Sequence, residues 1–246
     1  MQMTDPRPLL SGQGLSKTYG KLRAVDGVDI AVQPGEALGI VGPNGAGKTT
    51  LFGALAGAFP VSAGVIRLDG APITTLPAHR RCALGIARTH QVPRPFLGMT
   101  VFENVQVAAR AGGGLDDRAS VARAAQILGA TGLGDVANRP AGALGLLDRK
   151  RLEVARALAT NPRILLLDEI GGGLTEAELE VLIALILDLK AQGMTVIWIE
   201  HILHALLKVI DRLICMAEGR VLAEGAPRAV MADAAVRAAY LGSDPE

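Results

Sequence analysis

Short apolar runs alternate with a longer helical pattern in the second half of the chain. Runs at residues 164–167, 195–199 and 212–216 are rich in Val, Ile and Leu, which is typical of buried parallel strands. Between the first two runs, residues 176–192 repeat apolar side chains at helical spacing. A strand, a helix and a second strand in this order predict an α/β fold.

The N-terminal and middle regions have different patterns. Residues 9–40 alternate apolar and polar positions between turns, which predicts antiparallel strands at 22–25 and 28–32 and a turn at 33–36. A further strand is predicted at 64–68. Residues 92–159 change to helical segments with glycine-rich joints, which predicts an inserted helical subdomain. The glycines at 112–114 are too few for a flexible linker, so a surface loop is the better prediction.

Composition excludes several classes of protein. The 246 residues are 50% hydrophobic, which is ample for a buried core, and 25 basic against 24 acidic residues give a net charge of +1. The sequence contains no run of five or more like charges, so nothing in its charge pattern indicates nucleic-acid binding. The two cysteines, Cys82 and Cys215, are far apart, which favours buried thiols in a reducing compartment over a metal or redox site. No apolar stretch reaches a membrane-spanning length and the N-terminus lacks a signal-peptide pattern, so we expect a soluble intracellular chain.

A further apolar run, Ala37–Val41, leads into a glycine-rich segment that satisfies every position of the phosphate-binding pattern G-x-x-x-x-G-K-[ST]. Glycines there let backbone N–H groups surround phosphates, Lys48 supplies charge, and Thr49 can bind Mg²⁺ at the positive end of the following helix. A chance match anywhere in the chain has a probability of roughly half a per cent. The sequence therefore predicts a nucleoside triphosphate site formed by Gly42, Pro43, Asn44, Gly45, Ala46, Gly47, Lys48, Thr49 and Thr50.

A second nucleotide motif ends the strand predicted at 164–167, where Asp168 and Glu169 follow four apolar residues. Ligands of doubly wound sheets bind at this end of the strands. Asp168 is suited to hold Mg²⁺, directly or through water, and Glu169 to polarise the water that attacks the γ-phosphate. Alone, such a pair is more often a strand leaving the core. Its combination with an upstream phosphate loop favours function.

In their order along nearly the whole chain, these motifs resemble those of the ATP-binding subunits of ABC transporters. The resemblance implies that Tyr19 stacks on adenine, that Gln91 reaches Mg²⁺ or the attacking water and hinges the helical subdomain, and that His201 senses the γ-phosphate. An isolated Tyr, Gln or His would be an ordinary surface or packed residue, so position within the family's order carries the assignment. Three other histidines are interpreted as structural, namely His79, His90 and His204.

Two segments depart from the family's pattern. The usual Leu-Ser-Gly-Gly-Gln signature aligns with residues 144–148, where Leu144 is followed by Gly-Leu-Leu-Asp148 ahead of a basic helical segment. The resemblance implies that the missing serine and glycines contact the γ-phosphate of the opposite subunit. In the D-loop, Thr175 replaces the usual aspartate. How this chain contributes to its partner's ATP site is therefore left open.

Within the family, several local sequences are most similar to the branched-chain amino acid importer ATPases. They lie at residues 85–91, 99–105, 150–153, 199–201, 223–227 and 239–242. The Arg-Thr-x-Gln form of residues 88–91 favours the first of the two ATPase types that such importers use. Related subunits serve urea, amides and other amino acids, so the resemblance indicates the ATPase more strongly than the solute.

The resemblance implies one ABC ATP-binding domain over residues 1–246. A P-loop NTPase (RecA-like) core with an antiparallel β subdomain would comprise residues 1–91 and 160–246, and the helical subdomain with the signature segment residues 92–159. It implies ATP and Mg²⁺ as cofactors and a Mg-dependent ATPase coupled to transport. Lys48, Gln91, Glu169 and His201 would be catalytic, and Thr49, Gln91 and Asp168 would lie around Mg²⁺.

The implied partners are a second ABC ATPase subunit, either a paralogue or a second copy, two transmembrane permease subunits and, indirectly, an extracytoplasmic solute-binding protein. Nucleic acid is not among them. The implied location is peripheral, on the cytoplasmic face of a prokaryotic inner membrane. Two alternatives are a nucleotide-gated subunit of low ATPase turnover and the ATPase of an ABC transporter for another solute. A third interpretation, an ABC ATPase that acts on DNA or ribosomes, lacks support, because this sequence shows no second nucleotide domain, coiled-coil insertion or basic patch.

Overall fold

The computed structural model describes residues 7–241, which form two β-sheets and nine α-helices. The predicted domain extends beyond this range at both ends, through residues 1–6 and 242–246, and Gly242 of the tail motif also lies outside it. The strands in chain order are β1 Leu10–Tyr19, β2 Leu22–Val32, β3 Ala37–Val41, β4 Ala63–Leu68, β5 Ala71–Pro72, β6 Ile86–Arg88, β7 Ile164–Asp168, β8 Thr195–Ile199, β9 Arg212–Ala217 and β10 Arg220–Gly225. The helices are α1 Lys48–Ala56, α2 Ala78–Ala83, α3 Val101–Ala111, α4 Asp117–Ala130, α5 Leu146–Ala159, α6 Glu176–Ala191, α7 Leu203–Val209, α8 Pro227–Ala232 and α9 Ala234–Leu241.

The larger sheet has six strands in the order β10-β9-β3-β8-β7-β6. All neighbours pair in parallel except β10, which pairs antiparallel with β9 at one edge. The smaller sheet is antiparallel, in the order β2-β1-β4-β5. This arrangement confirms the predicted α/β fold with a P-loop NTPase core and an antiparallel sheet beside it.

One predicted boundary is wrong. The sequence analysis separated strands at 22–25 and 28–32, but the structure has a single strand, β2, across both. Ser16 of β1 faces the extra residues Asp26 and Gly27, since Leu15 pairs with Val28 and Lys17 with Val25. The apparent break is therefore a β-bulge, in which Gly27 takes a positive φ of 66°.

The parallel strands are buried on both faces, which explains their continuous apolar runs. Along β7, Ile164 and Leu166 pack with α1 and the antiparallel sheet, whereas Leu165 and Leu167 pack with the helices of the opposite face. The central strand β8 divides in the same way, with Ile197 and Trp198 on opposite sides. Two hydrophobic cores thus hold the sheet rigidly between layers.

Three helices, α3, α4 and α5, follow β6 and precede β7 in the sequence, and they pack against one another. They fall within residues 92–159, and the glycines at 112–114 form a turn and loop after α3 as predicted. The division of the chain into subdomains at 91/92 and 159/160 stays a prediction. Among residues 7–241, no helix combines the length and apolar composition needed to cross a bilayer.

The topology brings the sequence motifs to one edge of the larger sheet. The phosphate loop follows β3, Glu169 follows β7, and His201 lies two residues beyond β8. Gln91 comes three residues after β6. Because these strands are parallel neighbours, their carboxyl ends meet at the edge where such sheets bind ligands.

Candidate active site

A cavity of about 510 Å³ lies at this edge of the sheet. Nine of the predicted site residues line it, namely Asn44, Gly45, Ala46, Gly47, Lys48, Thr49, Thr50, Glu169 and His201. The rest of its wall comes from Leu22, Arg23, Ala24 and Glu218. The sequence analysis did not select these four, and no pattern in the sequence distinguishes them. The structure therefore joins the phosphate loop with the residues that follow β7 and β8.

Glycine is required at both ends of the phosphate loop. Gly42 has a φ of 148°, and a Cβ there would lie 2.2 Å from the Met216 carbonyl oxygen. Gly47 has a φ of 96°, and its Cβ would lie 2.2 Å from the Ala24 carbonyl oxygen. Helix α1 begins directly after Gly47, so its first N–H groups, which lack partners within the helix, face the cavity. The loop is shaped to bind an anion.

Lys48 is folded back onto this loop. Its ammonium donates hydrogen bonds to the carbonyl oxygens of Gly42 at 2.6 Å and Pro43 at 3.0 Å, and the residue is only 5% exposed. Burial lowers the pKa of Lys48, and the nearby carboxylates of Glu169 and Asp168 oppose that shift. A buried cation beside the anion-binding loop is available to pair with phosphate oxygens.

Asp168, the last residue of β7, is held by the end of β6. Its carboxylate Oδ2 lies 2.6 Å from Arg88 Nη2, and its backbone N–H donates to Thr89 Oγ1 at 3.1 Å. The other carboxylate oxygen, Oδ1, is buried without a hydrogen-bond partner. The sequence analysis did not select these two contacts of Asp168, Arg88 and Thr89, although both lie within three residues of the selected Gln91.

The carboxylate of Glu169 is shared between two other predicted residues. Glu169 Oε2 accepts a hydrogen bond from Gln91 Nε2 at 2.5 Å, and Glu169 Oε1 lies 2.7 Å from His201 Nε2. Glu169 also has a φ of 47°, in the left-handed region that costs a non-glycine residue about 1–3 kcal/mol and recurs at functional sites. The structure thus brings Gln91, Glu169 and His201 together, with Glu169 and His201 on the cavity wall and Gln91 hydrogen-bonded to Glu169 beside it.

Glu200, which the sequence analysis did not select, binds the backbone on either side of the Glu169 and His201 pair. The residue is 2% exposed, and its carboxylate accepts hydrogen bonds from the N–H groups of Gly171 at 2.9 Å and His201 at 3.0 Å. A Cβ at Gly171 would lie 3.0 Å from Glu200 Oε2, so the close contact favours glycine. Glu200 therefore joins the loops that follow β7 and β8.

Residues at this edge fit a magnesium ion. Mg²⁺ is bound in proteins through one or two carboxylates, with waters and substrate phosphates completing its octahedron. Thr49 lines the cavity, and the unpartnered Asp168 Oδ1 is a buried oxygen that the ion or its water would satisfy. Within residues 7–241, no three His, Cys, Asp or Glu side chains form a ready metal cage, so phosphate oxygens would supply further ligands.

The predicted adenine contact is not part of this cavity. Tyr19 is 48% exposed and is absent from the described residues that line the cavity wall. Its ring packs edge-to-face on Phe59 with centroids 6.1 Å apart, and Lys17 Nζ lies 5.0 Å from its centroid. Stacking of adenine on Tyr19 stays a prediction.

The two segments with unusual sequence begin helices. Gly145 is the N-cap of α5 and offers no side-chain acceptor, while the next residue, Leu146, is 42% exposed. Thr175 caps α6 through a capping box with Glu178, in which each side chain binds the other residue's backbone N–H. Thr175 thus retains the capping role that an aspartate also performs.

A phosphate loop after β3 and a carboxylate pair at the end of β7, two parallel strands separated only by β8, define a P-loop NTPase. Residues 25–171 match the ABC transporter family, and residues 220–246 match the branched-chain amino acid ATP-binding cassette transporters. The chain belongs to the ABC transporter ATPases.

Similar proteins are alike over nearly their whole length. The high-affinity branched-chain amino acid transport ATP-binding protein BraF of Pseudomonas aeruginosa is 38% identical over 251 residues, covering 96% of this chain and 98% of BraF. The crystal structure of an ATP-binding cassette of an ABC transporter in its ADP conformation has a TM-score of 0.86 at 32% identity, covering 96% of this chain and 99% of that one. A dimeric post-hydrolysis cassette bound to ADP and Pi has a TM-score of 0.80 at 25% identity, covering 89% and 99%.

Proposed function

We propose that this chain binds and hydrolyses Mg-ATP as a subunit of an ABC importer for branched-chain or related amino acids. The observation that carries the proposal is that Lys48, Glu169 and His201 line one cavity, while Gln91 donates a hydrogen bond to the Glu169 carboxylate beside it. A cation that holds phosphate oxygens, a carboxylate that accepts a proton and polar side chains that orient water are groups that phosphoryl transfer to water uses.

Each group has a proposed task. Lys48 and the N–H groups of the loop hold the β- and γ-phosphates and stabilise the charge that develops on them. Thr49, Gln91 and Asp168 hold Mg²⁺, which neutralises phosphate charge when bound. Glu169 orients the attacking water and accepts its proton, and His201 contacts the γ-phosphate.

The proposal includes a rearrangement of the site when ATP binds, because Lys48 and Glu169 are hydrogen-bonded to other residues in the structure. Lys48 exchanges the carbonyls of Gly42 and Pro43 for phosphate oxygens. Glu169 exchanges its contacts with Gln91 and His201 for a hydrogen bond from the attacking water, and His201 turns to the γ-phosphate. Both changes replace one hydrogen-bonded partner by another, so neither leaves a buried charge unpaired. Gln91 is then free to act as the hinge of the helical region.

Dimerisation is part of the proposal. The partner is a second ABC ATPase subunit, a paralogue or a second copy, and the relative that forms a dimer with ADP and Pi supports this arrangement. Each ATP would lie between the phosphate loop of one subunit and the signature segment of the other. The segment from Leu144 to Asp148 would give the partner an unusual surface, because Leu146 lies where the family's signature has a glycine.

Two permease subunits would complete the transporter, with a solute-binding protein acting on them from outside. A groove of about 370 Å³ supports permease docking, because its wall is largely apolar and includes Ala58, Ala78 and Cys82 on one side and Ala108 and Ala157 on the other. The chain would then sit peripherally on the cytoplasmic face of a prokaryotic inner membrane. No nucleic-acid partner is proposed.

Native cysteine chemistry tests this assembly. Cys82 is partly exposed in the groove, whereas Cys215 is buried and its pKa is raised by that burial. A cysteine-directed crosslinker applied to membranes should capture a permease through Cys82, and Cys82→Ser should abolish the capture. Capture that persists in Cys82→Ser, or no permease among the proteins that co-purify from membranes, would contradict the proposal.

Uptake measurements test the solute. The assembled transporter in proteoliposomes, supplied with its binding protein and internal ATP, should import leucine, isoleucine or valine. Uptake of urea or an amide without branched-chain amino acids would favour the alternative of a transporter for another solute. The C-terminal match at residues 220–246 supports the amino-acid proposal.

A second candidate function is a nucleotide-gated subunit of low turnover, and the altered segment from Leu144 to Asp148 favours it. Comparing ATP turnover when Glu169 is mutated here with turnover when the equivalent glutamate of the partner is mutated separates the two. Loss of turnover only with the partner's mutation would support the gated subunit. The intact Asp168, Glu169 and His201 support hydrolysis at this chain's own site.

A further inference from the structure

Three charged side chains on α5 hold the backbone of the segment that carries Gln91. Lys150, Glu153 and Arg156 recur every three residues and share one side of the helix. Lys150 Nζ donates to the Gln91 carbonyl oxygen at 2.9 Å. The Glu153 carboxylate accepts the N–H of Arg94, and Arg156 Nη1 donates to the Arg94 carbonyl oxygen at 2.7 Å. Three backbone atoms of this segment are thereby fixed to α5.

Lys150 differs from its two neighbours because it also reaches the strand end of β7. Its Nζ lies 3.3 Å from the carbonyl oxygen of Glu169, and the residue is only 4% exposed. Burial lowers the pKa of Lys150, and the charges of Glu200, Glu169 and Glu153 oppose that shift. An ammonium buried to this extent needs hydrogen-bond acceptors, and two of its acceptors are the backbones of Gln91 and Glu169.

The side chains of those two residues meet beside the phosphate-loop cavity, which Glu169 lines. Gln91 Nε2 and Glu169 Oε2 are 2.5 Å apart, so a movement of either backbone changes the position of the Glu169 carboxylate. Glu169 is constrained further by its left-handed φ of 47°. One ammonium from α5 therefore holds both backbones whose side chains form the hydrogen-bonded pair.

We infer that Lys150 is a positioning residue for ATP hydrolysis, which fixes Gln91 and Glu169 relative to each other and transmits movement of α5 to them. Lys150 does not line the 510 Å³ cavity of the phosphate loop, so it acts through these two residues. The inference rests on the proposed role of Glu169 in hydrolysis.

Matched lysine substitutions test this role. Lys150→Met in the assembled transporter should lower kcat for ATP hydrolysis by about 10- to 100-fold, the effect of a misplaced catalytic group. Its Kd for a fluorescent ATP analogue should stay within about twofold of the unmodified chain, because Lys150 lies outside the phosphate-loop cavity. Lys190→Met is the control, since Lys190 Nζ also donates to a backbone carbonyl, that of Val209 at 2.7 Å. The control should leave kcat and Kd unchanged.

Charge-conserving rescue separates positioning from general packing. Lys150→Arg keeps a cation with several donors, and an adjacent cavity of about 340 Å³ gives the larger side chain room. We expect it to restore most of kcat. If Lys150→Met does not fold, judged by circular dichroism, Lys150→Gln replaces it, and a kcat within twofold of the unmodified chain would then overturn the inference.

Three further outcomes would overturn it: an unchanged kcat in Lys150→Met, a loss of ATP affinity in proportion to kcat, or equal losses in Lys150→Met and Lys190→Met. Glu169→Gln, measured in parallel, separates this inference from the proposed function. Full activity in Glu169→Gln refutes the role of Glu169 itself. Loss of activity in Glu169→Gln with normal kcat in Lys150→Met refutes only the role of Lys150.

Discussion

Removing the guanidinium of Arg88 perturbs the electrostatics of the site at a buried carboxylate. Arg88→Met deletes the partner of Asp168, whose side chain is 3% exposed and lies 2.6 Å from Arg88 Nη2. Removing one member of a buried ion pair costs about 3–5 kcal/mol, because the other charge stays buried without compensation. We expect the lower figure, about 3 kcal/mol, because Arg88 is itself 17% exposed and the positive charge of Lys48 acts on Asp168.

For a chain of this length, about 3 kcal/mol corresponds to a fall in Tm of roughly 6–12 °C. Thermal unfolding by circular dichroism without nucleotide measures it. Arg163→Met is the matched control, because Arg163 pairs with Asp69 through side chains that are about half exposed. Such a surface pair contributes about 0–1 kcal/mol, so the control should lower Tm by no more than about 4 °C.

A double-mutant cycle with Asp168→Asn isolates the pair from other effects of each substitution. The double variant should be more stable than Arg88→Met alone, since it no longer contains the uncompensated carboxylate. A fall in Tm of less than about 2 °C in Arg88→Met, or strictly additive effects in the cycle, would refute the reasoning.

Three further predictions follow from single contacts. Gly47→Ala should weaken ATP-analogue binding by about tenfold or more, because its Cβ would collide with the Ala24 carbonyl oxygen. The control Gly20→Ala has a φ of 58° and no atom within 4 Å of its Cβ, so it should bind the ATP analogue normally. Equal losses of binding in the two variants would contradict this prediction. Arg81→Met should lower the free energy of unfolding in urea by about 3–5 kcal/mol. The buried Arg81 guanidinium donates to four backbone carbonyls, those of Ala54, Leu55, Thr74 and Leu76. A loss of stability no larger than that of Arg80→Met, at an exposed arginine, would contradict this prediction. Hydrogen bonds from Thr175 lower the pKa of Glu178, so its stabilisation is present above the ordinary value of 4.5 and is lost as pH falls through the lowered native pKa. The difference in Tm between the unmodified chain and Glu178→Gln should therefore shrink below about pH 4.5, and a constant difference down to pH 3 would contradict this.

Local patterns predicted most of the fold. Continuous apolar runs identified β3, β7, β8 and β9 because these strands are buried on both faces. The alternating pattern divides β2 into strands at 22–25 and 28–32, whereas Asp26 and Gly27 between them lie in a bulge opposite Ser16. A bulge and a turn both favour glycine with positive φ, and only pairing with β1 distinguishes them.

Part of the site could not be predicted, because its contacts join residues distant in sequence. Arg88 and Asp168 are 80 positions apart, Lys150 and Gln91 are 59 apart, and each pair meets only when β6, β7 and α5 pack together. No periodicity marks such residues. The resemblance to the ABC transporter ATPases instead selected Gln91 and His201, and the position of Glu169 at the carboxyl end of a predicted strand selected that residue.

Glu169→Gln in the assembled transporter tests the central claim most directly. The substitution preserves the size of the side chain and removes the carboxylate that is proposed to accept the proton of the attacking water. The account predicts that kcat for Mg-ATP hydrolysis falls by about 100-fold or more while Kd for the ATP analogue changes by less than about twofold. Full Mg-ATPase activity in Glu169→Gln would contradict the account.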